Sequence, residues 1–210
     1  GWDNSTIFHL GAPLQSPDLL SFLILQMKTL SKIAEMLGYN EKKDYWLESA
    51  DVNLQKLIDY FWTGDRFLPY KKGNSQDDFV GDSLIMFIPL ILGDMLPSKI
   101  REMLVNGLKD ENRFLTDYGL ATESISSDYY KDDGYWRGPI WAPSTMLIVD
   151  ALFRSGEKEL GLDIAQRFVE MADESGMAEN FDALSGQGLR DQAFTWTSSV
   201  FLYLGHILKE

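Results

Sequence analysis

The sequence contains no cysteine, and its only histidines are His9 and His206. A thiolate nucleophile and a disulfide are therefore excluded, and the His and Cys ligands of the usual zinc sites are too few. Basic residues are also scarce, since 19 Lys and Arg stand against 32 Asp and Glu and give a formal net charge of −13. Such a charge repels a phosphate backbone and an anionic membrane surface. We expect no metal, no cofactor and no nucleic-acid partner.

Long hydrophobic runs are missing too. The apolar stretches 19–25 and 84–92 are far shorter than the ~20 residues of a transmembrane helix, so we predict no membrane span. The chain does not begin with Met, and it opens on a motif-like string without a signal peptide or another targeting segment. We expect it to be part of a longer protein, with preceding sequence missing.

The sequence does have helical periodicity. Apolar residues recur at i, i+3 and i+4 in seven stretches, and no alternating run of strand length competes with them. The predicted class is therefore all-α, with a core that 210 residues can bury as one domain. Ser16 and Pro17 indicate the start of the first helix, Gly38 indicates its end, and Pro89 should bend the third. The predicted helices cover about 17–37, 40–61, 82–92, 97–108, 139–153, 160–171 and 190–208.

The connections between these helices alternate between short and long. Short turns are predicted near 38–40, 93–96 and 155–158. If each short turn joins antiparallel neighbours, every long segment emerges at the same end of the helical layer. Long loops in a compact domain are usually functional or disordered, so we predict a site built on them. The long segments are 1–16, 63–81, 109–138 and 174–190.

The long loops mix aromatic side chains with carboxylates, amides and a guanidinium. A sugar ring has an apolar face of C–H bonds and a rim of hydroxyls, so aromatic platforms together with polar partners bind it well. This composition predicts a site for a small saccharide. The candidate contacts in these loops include Trp2, Asn4 and Tyr118.

Two carboxyl groups on different long loops are candidates for catalysis. Glycosidic cleavage uses one protonated carboxyl group to release the leaving oxygen and one carboxylate to activate water. Asp3 and Glu179 each lie beside aromatic and amide neighbours, and the inferred topology lets them face each other across a pocket. For an inverting reaction their separation should be ~6.5–9.5 Å, which leaves room for the water.

Four blocks of the sequence together resemble glycoside hydrolase family 63 and its mannosylglycerate-hydrolase-like relatives. Their order and spacing fit over residues 1 to about 204. The blocks are Gly1-Trp2-Asp3-Asn4-Ser5, Tyr135-Trp136-Arg137-Gly138-Pro139-Ile140-Trp141, Glu179-Asn180-Phe181-Asp182 and Phe194-Thr195-Trp196-Thr197.

The resemblance implies an (α/α)6 toroid of six helical hairpins and inversion at an α-linked sugar. In that family the acid follows the fifth helix and the base precedes the twelfth. Residues 1–210 would then be the C-terminal portion of one catalytic domain, with helices six to twelve, and their partner would be the missing N-terminal half. The resemblance places the general acid on Asp3 and the general base on Glu179. It places substrate contacts on Tyr135, Trp136 and Trp141, with Arg137 and Asn180 as supports.

The sequence departs from the family pattern after Asp3, and the loop 63–81 matches none of the blocks, so the substrate is left open between an α-glucoside and an α-mannoside. Trehalases of family 37 share the Gly-Trp-Asp opening, but the block around Trp136 favours family 63. Trp136 and Trp141 could also pack as structural aromatics, and Trp196 is predicted to lie in the core.

Two other functions stay open from the sequence. One is a saccharide-binding or otherwise inactive fragment that does not turn over substrate. The other is a metal-dependent α-toroid cyclase, for which Asp77 and Asp78 with Asp82 resemble a diphosphate and Mg²⁺ site.

Overall fold

Helices dominate the computed structural model, which describes residues 2–209; Gly1, the first residue of the opening motif, lies outside them. The all-α class and the seven helical stretches are confirmed within these residues. The helices are α1 (Pro17–Met36), α2 (Asn40–Phe61), a long 3-10 helix (Leu84–Met95), α3 (Ser98–Lys109), α4 (Ala142–Arg154), α5 (Lys158–Ser175) and α6 (Thr195–Ile207). Within the same residues, none of the helices is both long and apolar enough to cross a membrane.

Helices α1 and α2 form an antiparallel hairpin at the start of the fold. Pro17 occupies the first turn of α1, as predicted, whereas the Ser16 hydroxyl makes no capping hydrogen bond. Gly38 has a φ of 74°, a left-handed conformation that glycine adopts without a steric penalty, and this conformation lets the chain reverse. Ion pairs from Lys28 to Asp51 and from Lys43 to Glu35 then cross between the two helices.

The segment Leu84–Met95 is the central buried element, and it differs in kind from the prediction. Its residues from Leu84 to Gly93 are all buried, as their apolar character predicts, but the helix is 3-10 rather than α. Pro89 provides no N–H donor for a regular α-helical ladder. Gly93 breaks the segment with φ 56° and ψ −125°, and a Cβ there would lie 2.8 Å from the carbonyl oxygen of Arg154 in α4.

Helices α4 and α6 begin later than predicted, because tertiary pairing holds the preceding residues extended. The backbone of Ile140 exchanges hydrogen bonds with Phe181, at 2.7 and 3.0 Å. The amide of Phe194 donates to the carbonyl of Met177 at 2.7 Å. Two small hairpins interrupt the helices, and they pair β1 (Leu115–Thr116) with β2 (Gly119–Leu120) and β3 (Asn180–Phe181) with β4 (Gly188–Leu189).

The long loops contact one another, as the alternating connection lengths predict. The backbones of Gln15 and Tyr70 exchange two hydrogen bonds of 2.8 Å, which join the first loop to the second. The Thr6 hydroxyl donates to Glu123 at 2.7 Å, which joins the first loop to the third. The Tyr135 hydroxyl donates to Glu179 at 3.2 Å, which joins the third loop to the fourth. Four segments that are distant in sequence therefore form one continuous surface.

Candidate active site

Asn4 fixes the first loop to the third. Its side-chain nitrogen donates to the carbonyl of Gly134 at 2.9 Å, and its side-chain oxygen accepts the amide N–H of Trp136 at 3.0 Å. Both polar atoms of Asn4 are thus used within the protein. The adjacent Asp3 is exposed, and it lines a polar cavity of about 250 Å³ together with Arg137. Asn4 therefore sets the position of the Asp3 backbone relative to the third loop.

Glu179 is half-buried at the entry to β3. Its amide donates to the carbonyl of Asp191 at 2.7 Å, and its carboxylate accepts a hydrogen bond from the Tyr135 hydroxyl at 3.2 Å. The carbonyl of the preceding residue, Ala178, accepts the Thr197 hydroxyl of α6 at 2.5 Å. Glu179 is therefore held by its backbone from both sides, and its side chain points to the third loop.

Tyr135 connects the two candidate carboxyl groups. Burial raises the pKa of Tyr135 above its usual value, and the hydrogen bond and charge of Glu179 and then the charge of Asp3 raise it further. A negative charge influences a phenol in this way only when it lies nearby. Asn4, which follows Asp3, is bonded to the residues on both sides of Tyr135, so the structure brings the segments of Asp3 and Glu179, which are far apart in sequence, to one side chain.

A row of stacked indoles forms one wall of this region. The ring centroids of Trp2 and Trp136 lie 4.8 Å apart, and those of Trp136 and Trp141 lie 4.0 Å apart with an interplanar angle of 11°. The Trp141 indole N–H donates to the carbonyl of Tyr135 at 2.9 Å. Trp136 and Trp141 are 3% and 1% exposed, whereas Trp2 is partly exposed. Trp2 therefore presents the accessible end of the row, and the substrate contacts predicted for Trp136 and Trp141 stay predictions.

The core position predicted for Trp196 is wrong. Its side chain is 49% exposed, and its ring centroid lies 6.4 Å from that of Trp141 at a tilted angle. Because α6 begins only at Thr195, Trp196 lies in the first turn of that helix, beside the loops, rather than within it.

The remaining predicted residues differ in their surroundings. The Arg137 guanidinium lies 5.9 Å from the ring centroid of Tyr129, and its Nε is buried without a partner among the described residues. Asn180 is fully buried beside Glu179. Tyr118 packs against Gly186 at the tip of the β3–β4 hairpin, where an added Cβ would lie 2.5 Å from its ring. The structure therefore brings together the predicted residues other than Tyr118.

Arg190 belongs to this group, although sequence reasoning placed it only at the start of the last helix. Its guanidinium donates to the side-chain oxygen of Asn180 at 3.0 Å, pairs with Asp133 at 2.5 Å and lies 5.0 Å from the ring centroid of Tyr135. The signal in the sequence that could have assigned Arg190 to the site is its position as a basic residue in a loop of carboxylates and aromatics. Its contacts depend on the β3–β4 pairing, which is not visible in the sequence.

The non-glycine residues with positive φ among the described residues all lie at this site. Trp2, Tyr135 and Arg190 have φ values of 67°, 64° and 63°. Each such residue costs on the order of 1–3 kcal/mol and persists only where its surroundings hold it, which is a frequent feature of functional sites.

Residues 1–197 match the family described as the mannosylglycerate hydrolase MGH1-like glycoside hydrolase domain. The chain belongs to this family. The resemblance seen in the four sequence blocks is thereby confirmed.

Curated relatives in this family are considerably longer than the chain. A probable mannosyl-oligosaccharide glucosidase of Schizosaccharomyces pombe is 27% identical over 208 residues, which cover 87% of this chain and 25% of that protein. The mannosyl-oligosaccharide glucosidase of Saccharomyces cerevisiae is 32% identical over 216 residues, which cover 90% of this chain and 26% of that protein. The chain therefore spans about a quarter of the length of either yeast protein.

A solved structure supports the fold. The crystal structure of a family 63 mannosylglycerate hydrolase from Thermus thermophilus in complex with glucose aligns with a TM-score of 0.71 and 18% identity, over 90% of this chain and 44% of that one. At this identity the likeness concerns the fold alone. The predicted (α/α)6 toroid, represented here by seven of its helices, is confirmed.

Two of the three carboxylates of the cyclase alternative, Asp78 and Asp82, are already engaged in this family member. Asp82 accepts two hydrogen bonds from Arg113, at 2.7 and 2.6 Å. Asp78 accepts the amide of Ser75 at 2.8 Å and so caps the short 3-10 helix Gln76–Asp78. Across residues 2–209, no group of three His, Cys, Asp or Glu side chains could hold a metal ion. The arrangement of these aspartates does not favour a diphosphate site.

Proposed function

We propose that this chain carries both catalytic carboxyl groups of an inverting α-glycoside hydrolase, with Asp3 as general acid and Glu179 as general base. The observation that carries the proposal is the position of Tyr135: its hydroxyl contacts Glu179 at 3.2 Å, and Asn4, next to Asp3, is bonded to Gly134 and Trp136 on either side of it. Membership of a glycoside hydrolase family supports the same reaction class.

In this mechanism the Asp3 carboxyl group donates its proton to the glycosidic oxygen as the bond to the anomeric carbon breaks. Glu179 takes a proton from a water that attacks the anomeric carbon from the opposite face, so the configuration inverts. The Tyr135 hydroxyl holds one oxygen of Glu179, which leaves the other free to accept the proton of the water. Trp2 is the accessible aromatic platform for the sugar, and Trp136 and Trp141 stack behind it.

The substrate class that we propose is an α-glucoside or α-mannoside, either a small glycoside or an oligosaccharide. The relatives described above are named as a glucosidase of mannosyl-oligosaccharides and a hydrolase of mannosylglycerate.

We also propose that residues 1–210 are the C-terminal portion of one toroid domain, completed by an absent N-terminal half. Apolar side chains on the outer helices support this: Leu19 of α1 is 56% exposed, and Leu202 of α6 is 70% exposed. Leu19 also lines an apolar groove of about 510 Å³. Such surface is normally covered in a folded protein. We expect the isolated 210-residue chain to be weakly active or inactive, because part of the site wall is missing.

The experiment compares Asp3→Asn and Glu179→Gln in the full-length protein, with α-glucosides and α-mannosides as substrates. Each change keeps the shape of the side chain and removes its proton-transfer capacity, so we expect kcat to fall by about 10²- to 10⁴-fold without a change in melting temperature. The controls are Asp77→Asn and Glu174→Gln, which alter exposed carboxylates outside the site.

Near-wild-type turnover in either site variant would remove that residue from the mechanism. Binding of saccharide by the wild-type protein without release of product would support the non-catalytic alternative. A reaction on an isoprenoid diphosphate that chelation of Mg²⁺ abolishes would support the cyclase.

A further inference from the structure

We propose that Arg190 is a positioning residue for Glu179 and acts through Tyr135. This inference rests on the proposed function, since it assigns a role in orienting the general base. The guanidinium of Arg190 lies over the Tyr135 ring, and the hydroxyl of that ring donates to Glu179.

The first step is the contact between Arg190 and Tyr135. The guanidinium lies 5.0 Å from the centroid of the Tyr135 ring, within the ~6 Å range in which a cation is attracted to an aromatic face. The hydroxyl at the far end of the same ring donates to Glu179 at 3.2 Å. A ring held at its face by Arg190 therefore presents its hydroxyl to the carboxylate in one orientation.

The second step is the way in which Arg190 itself is held. One terminal nitrogen donates to the side chain of Asn180 at 3.0 Å, and the other pairs with the Asp133 carboxylate at 2.5 Å. Asn180 directly follows Glu179, and Asp133 lies two residues before Tyr135. Arg190 thus bridges the segment of the base to the segment of the phenol. A planar fork with fixed donor directions is suited to this bridging, whereas a lysine is a single point charge.

The third step is backbone strain at both ends of the contact. Tyr135 and Arg190 are two of the three non-glycine residues with positive φ among residues 2–209. Such conformations persist only when the surroundings hold them, and at functional sites they often orient a side chain. The Arg190 side chain is 29% exposed and that of Asp133 is 65% exposed. An ion pair of that exposure adds little to stability. We therefore explain the strained backbone of Tyr135 and Arg190 by the side-chain orientation that it sets.

The experiment measures kcat and KM for Arg190→Gln and Arg190→Lys in the full-length protein. A base that is no longer held in place slows the chemical step, so we expect Arg190→Gln to lower kcat by about 10- to 100-fold with KM within about threefold of wild type. Arg190→Lys should have a higher kcat than Arg190→Gln, because a cation can still lie over the Tyr135 ring.

The matched control is Arg167→Gln in α5. The Arg167 side chain is 26% exposed, pairs with Asp163 at 3.0 Å and donates to the carbonyl of Thr116 at 2.8 Å. It is therefore a half-buried, doubly bonded arginine like Arg190, but it is not part of the site. We expect Arg167→Gln to leave kcat unchanged.

A double-mutant cycle with Tyr135→Phe separates positioning from a general structural role. If Arg190 acts through the Tyr135 hydroxyl, Arg190→Gln should cause no further loss of kcat in the Tyr135→Phe background. The inference would be overturned if Arg190→Gln lowered kcat by the same factor in the wild-type and Tyr135→Phe backgrounds, or if it left kcat unchanged. It would also be overturned if Arg167→Gln lowered kcat and the melting temperature as much as Arg190→Gln does. Failure of the proposed function is distinguishable, because Asp3→Asn and Glu179→Gln would then keep full turnover.

Discussion

Gly81 lies on the second loop, where the backbone approaches the segment that follows Asp3. Its φ is 81°, and a Cβ built on it would lie 2.5 Å from the Cβ of Thr6 and 2.7 Å from a carboxylate oxygen of Glu123. Ordinary contact begins at 3.4 Å, so Gly81→Ala requires Thr6 to move by about 0.9 Å if the backbone stays in place. The left-handed conformation adds about 1–2 kcal/mol of strain.

This displacement reaches the proposed acid directly. Thr6 begins the short 3-10 helix Thr6–Phe8, three residues after Asp3, and its hydroxyl bond to Glu123 is one of the anchors of the first loop. A misplacement of about 1 Å in a catalytic group can cost on the order of 100-fold in rate. We therefore expect Gly81→Ala to lower kcat by about that factor while the helices stay folded.

The assay is hydrolysis of the preferred α-glycoside by the full-length protein, together with its melting temperature. Gly73→Ala is the matched control, because Gly73 lies on the same loop with a φ of 90° but has no atom within 4 Å of an added Cβ. It imposes similar backbone strain without the collision. Equal turnover in the two variants would refute the reasoning that the approach of Gly81 to Thr6 positions Asp3.

Two further predictions concern stability. Burial raises the pKa of Glu123, so the folded state binds its proton more tightly than the unfolded chain, and stability is lost as the pH rises from about the ordinary value of 4.5 through the raised value. When the melting temperature is plotted against pH, Glu123→Gln should reduce the slope in this pH range. An unchanged slope would contradict the raised pKa of Glu123. Trp136→Ala removes a buried indole stacked between Trp2 and Trp141. It should cost about 3–5 kcal/mol in denaturant unfolding, and a loss below about 1 kcal/mol would contradict its structural role.

The helices could be predicted because their signals are local. Pro17 and Gly38 delimit α1, and the apolar periodicity gives the buried faces of the others. The continuous apolar run at 84–92 indicates burial. Because every position in it is apolar, it has no period that would distinguish a 3-10 helix from an α-helix. The starts of α4 and α6 depend on pairing between Ile140 and Phe181 and between Phe194 and Met177. Such contacts between distant segments leave no periodic trace.

The candidate site was predicted only in part, for a similar reason. Residue types and block order pointed to Asp3 and Glu179. The left-handed conformations of Trp2, Tyr135 and Arg190 could not be predicted, because these residue types do not favour positive φ. The role of Glu123 was also missed. It is a fully buried carboxylate that accepts hydrogen bonds from the Thr6 hydroxyl, the Asp82 amide and the Ser127 hydroxyl, and these donors converge only in three dimensions.

The most direct test of the central claim is the configuration of the sugar at the moment of its release. Proton NMR would follow the full-length enzyme on an α-linked glycoside before mutarotation equilibrates the product. Two carboxyl groups on opposite sides of the bond, with a water between them, release the β-anomer first. Release of the α-anomer first would contradict the assignment of Glu179 as a base that activates water.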